Sequence, residues 1–402
     1  MKRLPRGFQA SSLDRHEFSP AHLADVKMDD DDEPELVLKK EPKVRLPKEP
    51  AAKIKPTLDV NKFVNSLNQH LTIRTVGHVM QLNQNGTPIY YAAVGWAHTK
   101  INGEKVWTAD TKMHVASVSK LLTAMGMLKA LGTHGLNPDT RIAQFLPAYW
   151  QQGENINQIT FAHLLTHRSG FRVPGTKTGF LTMKREVAAG VQNVGEDSGY
   201  ENANFGLMRI LIPIVIGDID RDRMFHPNAE TNDVIWDGIA TDFYRDYMQD
   251  NVFEPAGVSG AGFLPMPAAA NGALAYAYPN VGQTGWNSGD LATVAGGAGW
   301  RLSIKELMSV LSHFRRTNKI LTPTAALAML SKGYGLNGNV ETDVGTIYVR
   351  KGGWGSGDRK EQCIALFLPD GMELAVFANS AIGPDDEKIK KVVLDKYLAA
   401  IS

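Results

Sequence analysis

Five β-rich runs sit at the two ends of this 402-residue chain, and a long stretch of helical character separates them. Two runs, residues 75–82 and 88–94, flank Asn83-Gln84-Asn85-Gly86. Asn-Gly between two β-rich runs is a strong hairpin signal. Three more, residues 346–350, 363–368 and 373–377, lie near the other end, the last two joined by Pro369-Asp370-Gly371. Strands held so far apart in sequence predict one antiparallel sheet closed by both chain ends. The intervening helices pack on it and form a second, mostly helical lobe, over roughly residues 130–295. The fold class is therefore α+β. Phe63, Leu67 and Leu71 recur at helical spacing before the first strand, and an amphipathic helix is expected over 385–400.

Residues 1–58 read differently. They carry 12 Lys/Arg and 11 Asp/Glu, an acidic run from Asp29 to Glu33, and 7 of the chain's 20 prolines. A segment so charged buries too little apolar surface to offset the entropy of ordering it. It is expected to be an extended or disordered arm, leaving residues 59–402 as the folded domain. It reads first as a solubilising tail and, as the alternative, as an arm that docks on a neighbouring copy of the chain.

Ser117-Val118-Ser119-Lys120 opens a long apolar helical pattern through Leu121, Leu122, Ala124, Met125, Met127 and Leu128. Positions i and i+3 share a helix face, so the Ser117 hydroxyl is placed beside the Lys120 amine, at the positive end of the helix dipole. A serine hydroxyl is a poor nucleophile until a base takes its proton. Lysine, with a reference pKa near 10.4, acts as that base at pH 7 at a cost of about 4 kcal/mol, unless its surroundings lower it. Such a pair needs a proton-relay partner and hydrogen-bonding groups. Tyr200-Glu201-Asn202, in a loop ahead of another apolar helix, supplies candidates: a Tyr200 hydroxyl aimed at Ser117, and an Asn202 amide for Lys120 and substrate. Lys351-Gly352-Gly353, at the end of the strand predicted over 346–350, is the third element. Small residues there let a substrate approach the strand edge, where a backbone N–H can join that of Ser117 as an oxyanion hole.

Three motifs in this order resemble those of the serine β-lactamase and penicillin-binding protein superfamily. The likeness is to its class C β-lactamase branch, which includes family VIII carboxylesterases and D-aminopeptidase-like hydrolases. Residues 159–171 (ITFAHLLTHRSGF), 253–258 (FEPAGV) and 296–307 (GGAGWRLSIKEL) are similar to further segments of that branch. The resemblance covers roughly residues 60–402. It implies Ser117 as nucleophile, Lys120 as its base partner, Tyr200 as proton shuttle and Asn202 as an orienting group. Lys351 then contributes positive charge, and the N–H groups of Ser117 and Trp354 form the oxyanion hole beside Gly353. Between Lys120 and Tyr200 the formal base stays open, because coupled groups titrate as a pair. Gly352 stands where the family usually carries a hydroxyl that holds a β-lactam carboxylate. That departure points to a carboxylesterase ahead of a D-amino-acid amidase or peptidase, and ahead of a weak β-lactamase. A reading from another class is a catalytically quiet protein that binds peptidoglycan-like peptides or serves in assembly. A literal Lys177-Thr178-Gly179 precedes Tyr200 and lacks a strand, so it is set aside as a decoy.

No cofactor is implied. His163 and His167 stand i, i+4, but no third ligand is evident, so no metal site is expected. Cys363, the one cysteine, lies in an apolar run and reads as a buried, inert thiol. A net charge of +1 singles out neither nucleic acid nor membrane as partner. The run 210–216 is too short to span a bilayer, and no secretory signal is visible. The expected partner is a small ester or amide, and the expected location cytoplasmic. The polar segment 218–237 reads as an insertion near the helical lobe.

Overall fold

The computed structural model describes residues 56–173, 175, 178–197, 199–264 and 272–402, together with the strand Val26–Lys27. The strands are β1 (Val26–Lys27), β2 (Gly77–Gln84), β3 (Thr87–His98), β4 (Lys105–Val106), β5 (Lys112–His114), β6 (Arg301–Ser303), β7 (Asn339–Thr342), β8 (Gly345–Ser356), β9 (Arg359–Phe367) and β10 (Met372–Ala378). The helices are α1 (Val60–Thr72), α2 (Ser119–Thr133), α3 (Phe161–Leu165), α4 (Phe180–Ala189), α5 (Ala203–Val215), α6 (Ala229–Met248), α7 (Ala295–Ala298), α8 (Ile304–Arg316), α9 (Pro323–Ser331) and α10 (Ile389–Leu398).

Both chain ends build one antiparallel sheet, in the order β1-β8-β9-β10-β2-β3-β4, with β7 also on β8. The β2–β3 hairpin turns at Asn85 and Gly86, both at positive φ, as a tight Asn-Gly turn requires. Beyond it the chain closes where Leu58 bridges Ile401. Strand β10 is buried along its whole length because helices cover both faces of the sheet. On one face α1 and α10 pack Phe63, Leu67, Val392 and Tyr397 against Ile347, Val349, Ile364 and Val376. On the other, α8 and the helical lobe bury Phe314, Phe367, Trp354 and Cys363. Helix α8 starts at a capping box, Ser303 taking the Glu306 N–H and Glu306 the Ser303 N–H.

Three features depart from the sequence reading. The pair β5–β6 lies inside the stretch read as helical; its three-residue strands are too short to show alternation. It ties the residues just before Ser117 to those just after α7. Strand β8 does not stop at Arg350 but runs on through Lys351, Gly352 and Gly353 to Ser356. The segment 218–237 is a loop that passes into α6 rather than a single insertion. Of the expected arm, only β1 and residues 56–58 fall among the described residues; Lys177 of the decoy motif lies outside them.

Candidate active site

The nucleophile candidate sits where β5 turns into α2. Ala116 is held at φ +41°, and a short 3-10 turn over Ala116–Val118 leads into the helix. That strained residue throws Ser117 onto the seam between the helical core and β8. Lys120, one turn on, is fully buried. Its Nζ donates to Ser117 Oγ at 3.0 Å, to Asn202 Oδ1 at 2.7 Å and to the Gly297 carbonyl at 3.0 Å. Three acceptors match the three N–H groups of an ammonium.

Tyr200 and Asn202 come from the loop before α5, with Asn202 at the helix's N-cap position. Tyr200 Oη lies 2.6 Å from Ser117 Oγ. The structure thus brings Ser117, Lys120, Tyr200 and Asn202 into one hydrogen-bonded cluster. The Lys120 ammonium also stands 4.7 Å from the centre of the Tyr200 ring. Behind the ring lies His167, at 4.6 Å between centroids. Burial, with the Lys120 and Arg350 charges added, holds His167 well below the ordinary histidine range, so it is neutral. It and His163 do not converge: His163 closes the capping box of α3. Among the described residues no cluster of His, Cys, Asp or Glu suits a metal ion.

Strand β8 supplies the other wall, but not with the residues read from the sequence. Side chains alternate across a sheet. Ile347 and Val349 face α1 and α10, so Lys351 and Gly353 share that face, away from Ser117. Arg350, fully buried, takes the place expected of Lys351. Its Nε donates to the Ser117 carbonyl at 2.7 Å and its Nη2 to Tyr200 Oη at 2.9 Å. Sequence reasoning missed Arg350 because a strand taken to end there has no parity to extend.

The same parity sorts the backbone. Val349 exchanges bonds with Asn337 and Gly338 at the outer edge, and the Lys351 N–H is taken by Asn337 Oδ1 at 2.8 Å. Gly353 therefore aims its N–H at that outer edge, whereas Trp354, paired with Glu361, turns its own toward β9. Of the two, Gly353 is the one placed to help Ser117 hold an oxyanion. Gly352 faces the Ser117 turn directly. A Cβ there would stand 2.8 Å from the Ser117 nitrogen, 2.8 Å from Cys363 Sγ and 2.7 Å from the Val115 carbonyl oxygen. The absent side chain at Gly352 thus reflects close packing under Ser117. Cys363, directly behind, has its thiol pushed far up by burial, which leaves it inert.

A family model described as Beta-lactamase matches residues 60–397. Among solved structures, the chain is similar to the octameric penicillin-binding protein homologue from Pyrococcus abyssi (TM-score 0.63, 17% identity, 84% of this chain and 76% of that one). It is also similar to FmtA from Staphylococcus aureus (TM-score 0.61, 15% identity, 84% and 87%) and to a class C beta lactamase from Rhodobacter sphaeroides (TM-score 0.60, 16% identity, 84% and 97%). A curated relative, the probable fimbrial assembly protein FimD, serogroup H1, of Dichelobacter nodosus, is 30% identical over 95 residues. That match spans about a quarter of either protein (24%). No helix among the described residues is long and apolar enough to cross a membrane.

Proposed function

The chain belongs to the beta-lactamase family, within the serine β-lactamase and penicillin-binding protein superfamily, and from that premise we propose that it hydrolyses small carboxylic esters through an acyl-enzyme on Ser117. The observation that carries the reading is the pair of contacts on Ser117 Oγ: Tyr200 Oη at 2.6 Å and Lys120 Nζ at 3.0 Å. Each N–H of the Lys120 ammonium has an acceptor within 3.0 Å, so the Ser117 proton leaves toward Tyr200. Arg350 donates to the phenol oxygen and Lys120 stands against its ring, so two cations offset the phenolate charge. As Ser117 Oγ bonds to the substrate carbonyl carbon, the carbonyl oxygen takes its negative charge toward the N–H groups of Ser117 and Gly353. Tyr200 then returns the proton to the departing alcohol. In the second half, water gives its proton to Tyr200 and attacks the acyl carbon, and as the bond to Ser117 Oγ breaks Tyr200 passes that proton to Oγ, freeing the serine and the acid.

The outer edge of β8 supports a small substrate. Asn337 occupies it as far as the Lys351 N–H, and β1 pairs with it again at Gly355. Between them lies about 13 Å of strand at ~3.3 Å per residue, with Gly353 the one intervening residue that faces outward. An extended peptide laid along the strand needs a longer free edge than that.

The test is hydrolysis of p-nitrophenyl butyrate by wild type and Ser117→Ala, beside nitrocefin and a D-alanine p-nitroanilide. The ester is expected to turn over fastest, with activity lost in the variant and its fold intact. Faster cleavage of either amide overturns the ester assignment. Absence of turnover and of fluorophosphonate labelling at Ser117 overturns the hydrolase reading.

A further inference from the structure

The last turn of α7 ends three residues before β6, and its carbonyls are claimed by three side chains. Thr123 Oγ1 donates to Gly296 O at 2.6 Å, Lys120 Nζ to Gly297 O at 3.0 Å, and the His114 Nε2 position contacts Ala298 O. Such carbonyls have no partner within their own helix and need one from outside. Two of the three claimants come from α2, the helix that begins two residues after Ser117. The third, His114, lies on β5, three residues before Ser117.

His114 is fully buried, and its Nδ1 lies 3.0 Å from Glu361 Oε2, itself 1% exposed. Ala298 O only accepts, so Nε2 carries a hydrogen. A second proton must then lie between Nδ1 and Oε2, on either atom, because a bare lone pair cannot face a carboxylate. Trp354 stands edge-on to the imidazole at 5.3 Å. Arg301 on β6, Cys363 on β9, Arg350 on β8 and Lys120 on α2 are the other titratable or charged groups around the pair, and Arg301 and Cys363 feel the Glu361 charge directly.

We infer that His114 and Glu361 are positioning residues for the reaction: by holding the Ala298 carbonyl they fix the adjoining Gly297 carbonyl where Lys120 must meet it, and so keep the lysine trained on Ser117 and Asn202. Other bonds also hold this segment: Thr123 takes the Gly296 carbonyl, and Trp300 just beyond α7 is tied to Ser119 and Val115, but the Ala298 carbonyl is met by His114. Gly296 lies so tightly on Phe205 that a Cβ would strike its carbonyl oxygen, and a Cβ on Gly297 would come within 3.5 Å of Lys120 Nζ. The helix is pressed close to the site there, and His114 anchors its last carbonyl.

This inference rests on the hydrolase reading for its kinetic consequence but not for its structural one, so the test has two arms. In crystal structures of His114→Ala and Glu361→Ala, the Lys120–Gly297 contact is expected to open beyond 3.5 Å. In Glu361→Gln an amide N–H replaces the shared proton toward a neutral His114, and the contact is expected to be restored. A contact kept at 3.0 Å in both alanine variants overturns the inference, whether or not the protein hydrolyses anything. In kinetics with p-nitrophenyl butyrate, His114→Ala is expected to lower kcat at least tenfold with KM within about threefold. The pH profile of kcat/KM should move to lower pH, since an ammonium that loses an acceptor gives up its proton more readily. Glu361→Gln should recover most of the rate lost in Glu361→Ala. An unmoved pH profile in His114→Ala, with the drop in thermal midpoint matched by a distant core variant, reduces the pair to a structural role and refutes the claim. A wild type without esterase activity removes the ester reading alone, and the crystallographic arm still decides this one.

Discussion

Replacing Gly352 by alanine tests the packing of the nucleophile more sharply than replacing any polar group does. The added Cβ would stand 2.8 Å from the Ser117 nitrogen, where ordinary contact begins at 3.4 Å, so one side must yield by about 0.6 Å. The Val115 carbonyl at 2.7 Å lies in the same turn, and Cys363 Sγ at 2.8 Å is walled in by the core. Two of the three obstacles are backbone atoms, so no rotamer change relieves them. Overpacking a core by one methyl group costs about 1–3 kcal/mol. Displacing Ser117 by about 0.6 Å from Tyr200 and the proposed oxyanion donors is expected to cost about 10–20-fold in kcat, given that ~1 Å of misplacement costs about 100-fold. Urea unfolding gives the first quantity and p-nitrophenyl butyrate kinetics the second. Adding Cys363→Ala removes only the sulfur contact, so the double variant should recover part of the stability and little of the rate. A Gly352→Ala protein with wild-type midpoint and wild-type kcat would refute the close approach of β8 to Ser117.

Other perturbations follow from the same geometry. Arg350→Lys keeps a charge but one nitrogen cannot span Ser117 O and Tyr200 Oη, so about 10–100-fold of kcat should go with the fold retained; wild-type kinetics would show that the fork is dispensable. Tyr200→Phe should lose about 100-fold or more, and a variant within a few-fold of wild type would return the base role to Lys120. Buried His78 is held down to about 4 by desolvation. The unfolded chain therefore binds its proton first as pH falls, and about 3 kcal/mol of stability, complete above pH 6.5, is lost between 6.5 and 4. Urea midpoints at pH 7 and 4.5 should fall further apart in wild type than in His78→Gln; parallel losses would sink that assignment.

What the sequence revealed follows the range of the interactions. Ser117 and Lys120 were legible because three residues on a helix fix their neighbourhood without help from the rest of the chain. The sheet was legible too, since β2, β3, β9 and β10 are long enough to show their pattern and their turns carry Asn-Gly and Asp-Gly. Failure came where one residue of register decides the outcome. Glycines weaken a strand signal, so β8 was stopped at Arg350. That error put Lys351 rather than Arg350 beside Ser117, and the Trp354 rather than the Gly353 N–H at the open edge. His114 was invisible for a different reason. Its partner Glu361 lies 247 residues away, and no local spacing joins them.

Arg350 and Glu361, which escaped notice, and Gly352, whose packing role did, reach Ser117 or its surroundings from the sheet, whereas Ser117, Lys120, Tyr200 and Asn202 stand on the helical lobe or its margin. The site is a seam: the turn into α2 presents Ser117, and the face of β8 turned toward the helical lobe closes on it. Across such a seam neither side has a periodicity that reports the other. The helical half depends on the residue types its chemistry needs, and those can be recognised. The sheet half needs the right atoms at the right height along a strand, which glycine, arginine or a bare backbone N–H can supply. Substitutions on the helical half should therefore abolish turnover and spare the fold. Those on the sheet half, Gly352→Ala first among them, should damage both together, because there the packing surface and the catalytic surface are the same.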